Sequence, residues 1–83
     1  MKLIWVTEAK VCNGYKLLLT FNDGCRKVFD CRILLDGGNA LYEPLQDVKA
    51  FNDILLDGWT VTWKDGTIDV APEFLYEKGI PVE

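Results

Sequence analysis

The stretch Trp63-Lys64-Asp65-Gly66-Thr67-Ile68-Asp69-Val70-Ala71-Pro72-Glu73-Phe74-Leu75-Tyr76 reads as strand, turn, strand and helix in immediate succession. Asp-Gly at 65–66 predicts a tight two-residue turn of the mirror-image type, whose central residues need positive φ. That turn puts Trp59, Val61, Trp63, Ile68 and Val70 on one face of a hairpin, with Thr60, Thr62, Lys64, Thr67 and Asp69 on the other. Pro72 lacks an amide hydrogen, which a first helical position does not need, so it opens a helix that Gly79 ends. Glu73 suits the positive end of that helix. Asp69 is expected to brace the Ala71-Pro72-Glu73 start by accepting backbone N–H bonds.

Working towards the N-terminus, Asp47 reads as the N-cap of a short helix ending near Leu56, with Val48, Phe51 and Leu55 on its apolar face. Asp57-Gly58 stops it. Arg32 to Leu45 reads as irregular, hinged at Asp36-Gly37-Gly38-Asn39, with Ala40 to Leu45 running extended into Pro44. Tyr15 to Phe21 alternates cleanly: Tyr15, Leu17, Leu19 and Phe21 lie on one face, Lys16, Leu18 and Thr20 on the other. Asn22-Asp23-Gly24 turns the chain into a strand from Cys25 to Cys31. A three-residue loop with Gly24 left-handed sets Phe21 against Cys25 and Leu17 against Phe29. It leaves Lys27 as the lone polar member of the buried face, whereas a two-residue loop mixes charges into it. Asp30 is expected to fix the corner after this strand. Leu3 to Val11 reads as a covered interior strand, followed by a Cys12-Asn13-Gly14 turn.

The fold class is α+β: a mainly antiparallel sheet of about five strands, carrying two Asp-Gly hairpins, with one or two short helices on one face. Residues 1–83 read as one domain. A chain this short buries roughly 60–65% of its unfolded surface, so ten aromatic side chains are expected to dominate the core. The N-terminal apolar run is too short for a signal peptide, and no stretch reaches membrane-spanning length. A soluble cytoplasmic protein without a membrane partner is expected. Cys12, Cys25 and Cys31 have no paired spacing and are expected as free thiols.

The residue inventory argues against most chemistries. The chain contains no serine and no histidine, so a nucleophile would lack its usual base. No metal is expected, since Asp65, Asp69 and Glu73 do not follow a calcium-loop spacing. Asp36-Gly37-Gly38-Asn39 matches neither phosphate-loop pattern, and no cofactor is expected. The net charge of −4 is uneven: residues 1–33 carry six basic groups against three acids, residues 34–83 three against ten. Lys16, Arg26, Lys27 and Arg32 form a candidate basic patch for phosphate. The acidic total argues against nucleic acid as the main partner.

The chain resembles the domain-of-unknown-function 2442 family of small bacterial proteins over nearly its whole length. The resemblance rests on Leu19-Thr20-Phe21-Asn22-Asp23-Gly24, on Val28-Phe29-Asp30, on Pro44-Leu45 and above all on Trp63 to Tyr76. It implies an α+β fold and a prokaryotic source. It also implies a lone domain beside small toxin-like or regulatory proteins; the helix-turn-helix some relatives append is not expected here. Its signature residues Trp63, Asp65, Gly66, Asp69, Pro72, Glu73, Leu75 and Tyr76 are candidates for interaction. No catalytic residue is expected. A non-enzymatic protein-binding or adaptor module is expected, acting through a protein partner or self-association. Tyr15–Phe21 and Trp59–Trp63 are the strands expected to make edge or face contacts, and Phe74, Leu75, Tyr76 and Ile80 offer a second contact. A nucleic-acid-linked regulator is the alternative, and an enzyme of unfamiliar type the third.

Overall fold

A computed structural model describes residues 3–37, 40–64 and 66–82. In chain order these form β1 (Val6–Cys12), β2 (Lys16–Phe21), β3 (Arg26–Asp30), α1 (Arg32–Leu35), a 3-10 helix (Ala40–Gln46), α2 (Val48–Asn52), β4 (Ile54–Leu56), β5 (Val61–Trp63), β6 (Ile68–Asp69), α3 (Pro72–Lys78) and β7 (Ile80–Pro81). The fold is α+β and the strand pairings are antiparallel. The described strands number seven and form two sheets, β1-β2-β3-β7 and β4-β5-β6, where one sheet of about five was expected.

The β2–β3 hairpin follows its alternation. Leu17 pairs with Phe29 and Leu19 with Lys27, and Phe21 N–H bonds Cys25 O at 2.9 Å. Gly24 sits at φ +86, as the three-residue loop requires. Leu17, Leu19, Phe21, Phe29 and Cys31 are buried on the inner face, while Cys25, expected among them, is exposed at the turn. Lys27 is accommodated on that face because its ammonium donates to Tyr76 O at 2.6 Å and lies 3.7 Å from the Tyr76 ring centre. Asp30 does fix its corner: it accepts from Arg32 N–H at 3.0 Å.

The first strand differs from its reading. It starts at Val6, and it is an edge of the four-stranded sheet. Asn22 ties down the residues before it, accepting from Trp5 N–H at 2.8 Å and donating to Leu3 O at 3.0 Å. Trp5 stacks on Trp59, ring centres 5.7 Å apart. Trp59 is 41% exposed instead of sharing the buried face with Val61, Trp63, Ile68 and Val70. The β5–β6 register is the expected one, Trp63 opposite Ile68; Asp65 of its turn lies outside the described residues. Thr60 and Thr62, expected on the face opposite Val61 and Trp63, are buried as well, their hydroxyls donating to Val70 O and Leu55 O. Of the strands expected to make edge or face contacts, neither is an edge, which leaves them only their faces: β2 lies between β1 and β3, β5 between β4 and β6.

The middle of the chain departs most. Arg32–Leu35 is helical, and Ala40–Gln46 is a 3-10 helix with Pro44 inside it where an extended run was expected. Of the expected hinge, Gly38 and Asn39 lie outside the described residues. Asp47 does cap α2, accepting from Lys49 N–H at 3.1 Å. The helix stops at Asn52, however, and Ile54–Leu56 pairs with β5 as a strand. Val48 and Leu55 are exposed; Phe51 alone of the expected apolar face is buried.

Asp57 holds the turn into β5, its carboxylate accepting from Trp59 N–H at 2.9 Å and Thr60 N–H at 2.8 Å. Those bonds, the one from Thr60 first, hold its carboxyl below the usual range. Because the folded-state value is depressed, the stability it contributes is complete above the ordinary aspartate range and lost as pH falls through the folded value. The unfolding midpoint of wild type should therefore fall more steeply than that of Asp57→Asn as pH drops below about 4. Parallel curves would contradict this.

The α3 segment runs Pro72–Lys78, with Glu73 in its first turn. Asp69 does not brace its start: it makes no side-chain hydrogen bond among the described residues, and the Ala71 cap has no side-chain bond either. Proline's fixed φ at the first position serves instead. Gly79 follows at φ −70, so left-handed backbone is not why glycine stands there. A Cβ at Gly79 would lie 2.8 Å from Leu75 O and 2.9 Å from Lys27 Cβ, which is closer than packing allows. Gly79→Ala should cost about 1–3 kcal/mol in urea unfolding; an unchanged midpoint would show that α3 does not press this closely on β3.

Candidate functional site

The inner face of the four-stranded sheet and the three-stranded sheet share one core with the short helices. Leu34 of α1, Leu45 of the 3-10 helix, Phe51 of α2 and Leu75 of α3 all enter it. Ring contacts knit the layers: Phe51 against Tyr15 and Trp63, Phe29 against Phe74, Phe21 against Tyr76. Leu18 and Val28 take no part in this core, because the pleat turns them the other way.

The outer face can be read row by row from the register. One row runs Lys10, Leu18, Val28, Ile80 across β1, β2, β3 and β7. Glu8, Thr20 and Arg26 flank it on one side, Cys12, Lys16 and Asp30 on the other. Every described helix puts its buried side chain into the core on the opposite face, so none of them covers the outer face, where Leu18 and Val28 are half-buried. Ile80 is 70% exposed.

The expected basic patch is divided by this geometry. Lys16 and Arg26 lie on the outer face in different rows, and Lys27 points to the inner face against Tyr76. Arg32 pairs with Asp30 at 2.8 Å. The Arg32 guanidinium holds the Asp30 carboxyl below its usual range. Lys10, which composition did not single out, joins the outer face through its pairing with Leu18.

The signature residues are also dispersed. Trp63, Pro72 and Leu75 are buried; Gly66, Asp69 and Glu73 are exposed; Asp65 lies outside the described residues. Tyr76 is half-buried, its hydroxyl donating to Asp23 Oδ2 at 2.7 Å with Cys25 Sγ 3.6 Å away, and these acceptors push its pKa up. Of the four residues offered as a second contact, Ile80 is exposed; Phe74 and Tyr76 are committed to ring contacts.

The clefts hold little chemistry. One of about 340 Å³ is lined by Val11, Cys12, Tyr15, Val48, Phe51 and Asn52 among others, with no ionised side chain. A second of about 360 Å³ lies beside Cys25, Arg26, Lys27 and Tyr76, where Lys27 and Tyr76 already bond each other. Burial, aided by the Asp30 charge, pushes the Cys31 thiol up to about 12, so it is an apolar filler. Among the described residues, no three His, Cys, Asp or Glu side chains are gathered to hold a metal ion, and no helix is long and apolar enough to cross a membrane.

No curated protein and no solved structure matches the chain. The family model described as Protein of unknown function (DUF2442) matches residues 6–81, which takes in both hairpins and α3, and the chain belongs to that family.

Proposed function

We infer that this chain is a small non-enzymatic protein-binding or adaptor module, acting in the cytoplasm on a toxin-like or regulatory partner protein. The observation that carries the reading is the outer face of the four-stranded sheet. Antiparallel sheets often turn one face to water, but then that face is normally polar. Here its middle row, beyond Lys10 on the edge strand, is Leu18, Val28 and Ile80. Apolar side chains held in a row on an open sheet fit a surface that another protein covers. The inventory supports the same reading, since without serine or histidine there is no nucleophile with its usual base.

Lys10, Lys16 and Arg26 on the same face favour a second reading, a regulator that contacts phosphate. Capture from lysate with the tagged full-length chain separates the two. A stoichiometric protein retained through a high-salt wash is the expected result. Nucleic acid that leaves steeply with salt, as counterion release demands, would replace the first reading by the second. No retained protein would overturn it.

A further inference from the structure

The outer face has a charge as well as a shape. Lys10, Lys16 and Arg26 stand there against Glu8 and Asp30, and Asp30 is already paired with Arg32 at its margin. The chain as a whole carries −4, so this face is a positive island on an acidic molecule. Its apolar row crosses neighbouring strands, which sets Leu18, Val28 and Ile80 about 4.8 Å apart from strand to strand. A helix repeats its apolar positions every turn, about 5.4 Å, so a stripe at i, i+4 and i+7 can follow that row. On the opposite face a helix of this chain already packs on the sheet, Phe74 of α3 meeting Phe29 and Tyr76 meeting Phe21.

We propose that the outer face of the four-stranded sheet receives an amphipathic helix of a partner protein, its apolar stripe on Leu18, Val28 and Ile80 and its flanking Asp or Glu side chains on Lys10, Lys16 and Arg26. The inference rests on the protein-binding reading above and names the chemistry of the partner. A second copy is disfavoured as occupant, because two faces of this same sign repel when brought together. Single-stranded nucleic acid is disfavoured because it wants aromatic platforms, and this row is aliphatic.

The test titrates isotope-labelled full-length chain with designed helices of about 18 residues, long enough to hold helical structure. One carries a leucine stripe flanked by glutamate, and its control carries the same stripe flanked by lysine. An oligonucleotide of mixed sequence is titrated alongside. The glutamate helix is expected to shift the amide signals of residues 10, 16, 18, 26, 28 and 80, and to bind at least about tenfold more tightly than the lysine helix. Val28→Glu, and independently the double change Lys10→Glu with Lys16→Glu, should each abolish these shifts while the rest of the amide spectrum stays folded. The charge pair lies outside the core, so it tests the site even where Val28→Glu perturbs the sheet. Equal binding of the two helices, shifts confined to other surfaces, or outer-face shifts driven by the oligonucleotide or by chain concentration would each overturn the inference. A natural partner captured undiminished by the Lys10→Glu, Lys16→Glu chain would overturn it too, yet leave the protein-binding reading standing; no captured protein at all would remove that reading itself.

Discussion

Trp63→Ala should cost this chain a large share of its stability. Trp63 is fully buried in the three-stranded sheet, stacked on Phe51 with ring centres 5.9 Å apart, and its Nε1–H donates to Phe51 O at 2.8 Å. Truncating a buried tryptophan costs about 3–5 kcal/mol. At about 0.05–0.15 kcal/mol per residue, a chain of 83 residues has a total stability of only about 4–12 kcal/mol. The loss is thus a large share of the whole. Trp63→Phe separates the two contributions, keeping most of the ring but leaving the Phe51 carbonyl without its donor, at about 1–3 kcal/mol. Urea unfolding followed by circular dichroism measures both. A Trp63→Ala chain with a near-wild-type midpoint would mean that β5 is not at the centre of the core.

Phe29→Ala and Val28→Thr should differ sharply although the residues are neighbours in β3. Phe29 is fully buried and meets Phe74 edge-on at 5.9 Å, so its truncation should cost about 3–5 kcal/mol. Val28 faces the other way, outside the core, and threonine keeps its β-branched shape. Its replacement should cost less than about 1 kcal/mol. Costs of similar size at the two positions would mean that something within this chain covers the outer face.

The sequence was most legible where two local rules agreed. In the β2–β3 hairpin, alternation and a glycine at the turn both demand one register, and that register forms. The same holds for β5–β6 and for the proline-started α3. It was least legible between Arg32 and Leu56, where short apolar runs fit helix or strand alike. Ile54-Leu55-Leu56 continues a helical pattern, yet partnership with β5 draws it into a strand. Thr60 and Thr62 read only as the face opposite Val61 and Trp63; that this face is buried too depends on the carbonyls of Val70 and Leu55, distant in sequence, that satisfy their hydroxyls.

The candidate surface shows the same division. Alternation alone places Leu18 opposite to Leu17 and Leu19. That Leu18 is joined by Lys10, Val28 and Ile80 depends on cross-strand partners, and β7 is a two-residue strand that no periodicity reveals. The basic patch failed for a related reason. Lys27 and Arg32 lie close to Lys16 and Arg26 in sequence or across the hairpin, but a tyrosine ring takes one and Asp30 the other.

Capture of a partner by the Leu18→Thr, Val28→Thr chain, beside wild type at matched concentration, bears most directly on the outer face as the working surface. Both chains should be folded, with the same amide dispersion, and the double variant should retain at least about tenfold less partner, as loss of a central apolar contact implies. Undiminished capture by a folded double variant would show that the partner binds elsewhere.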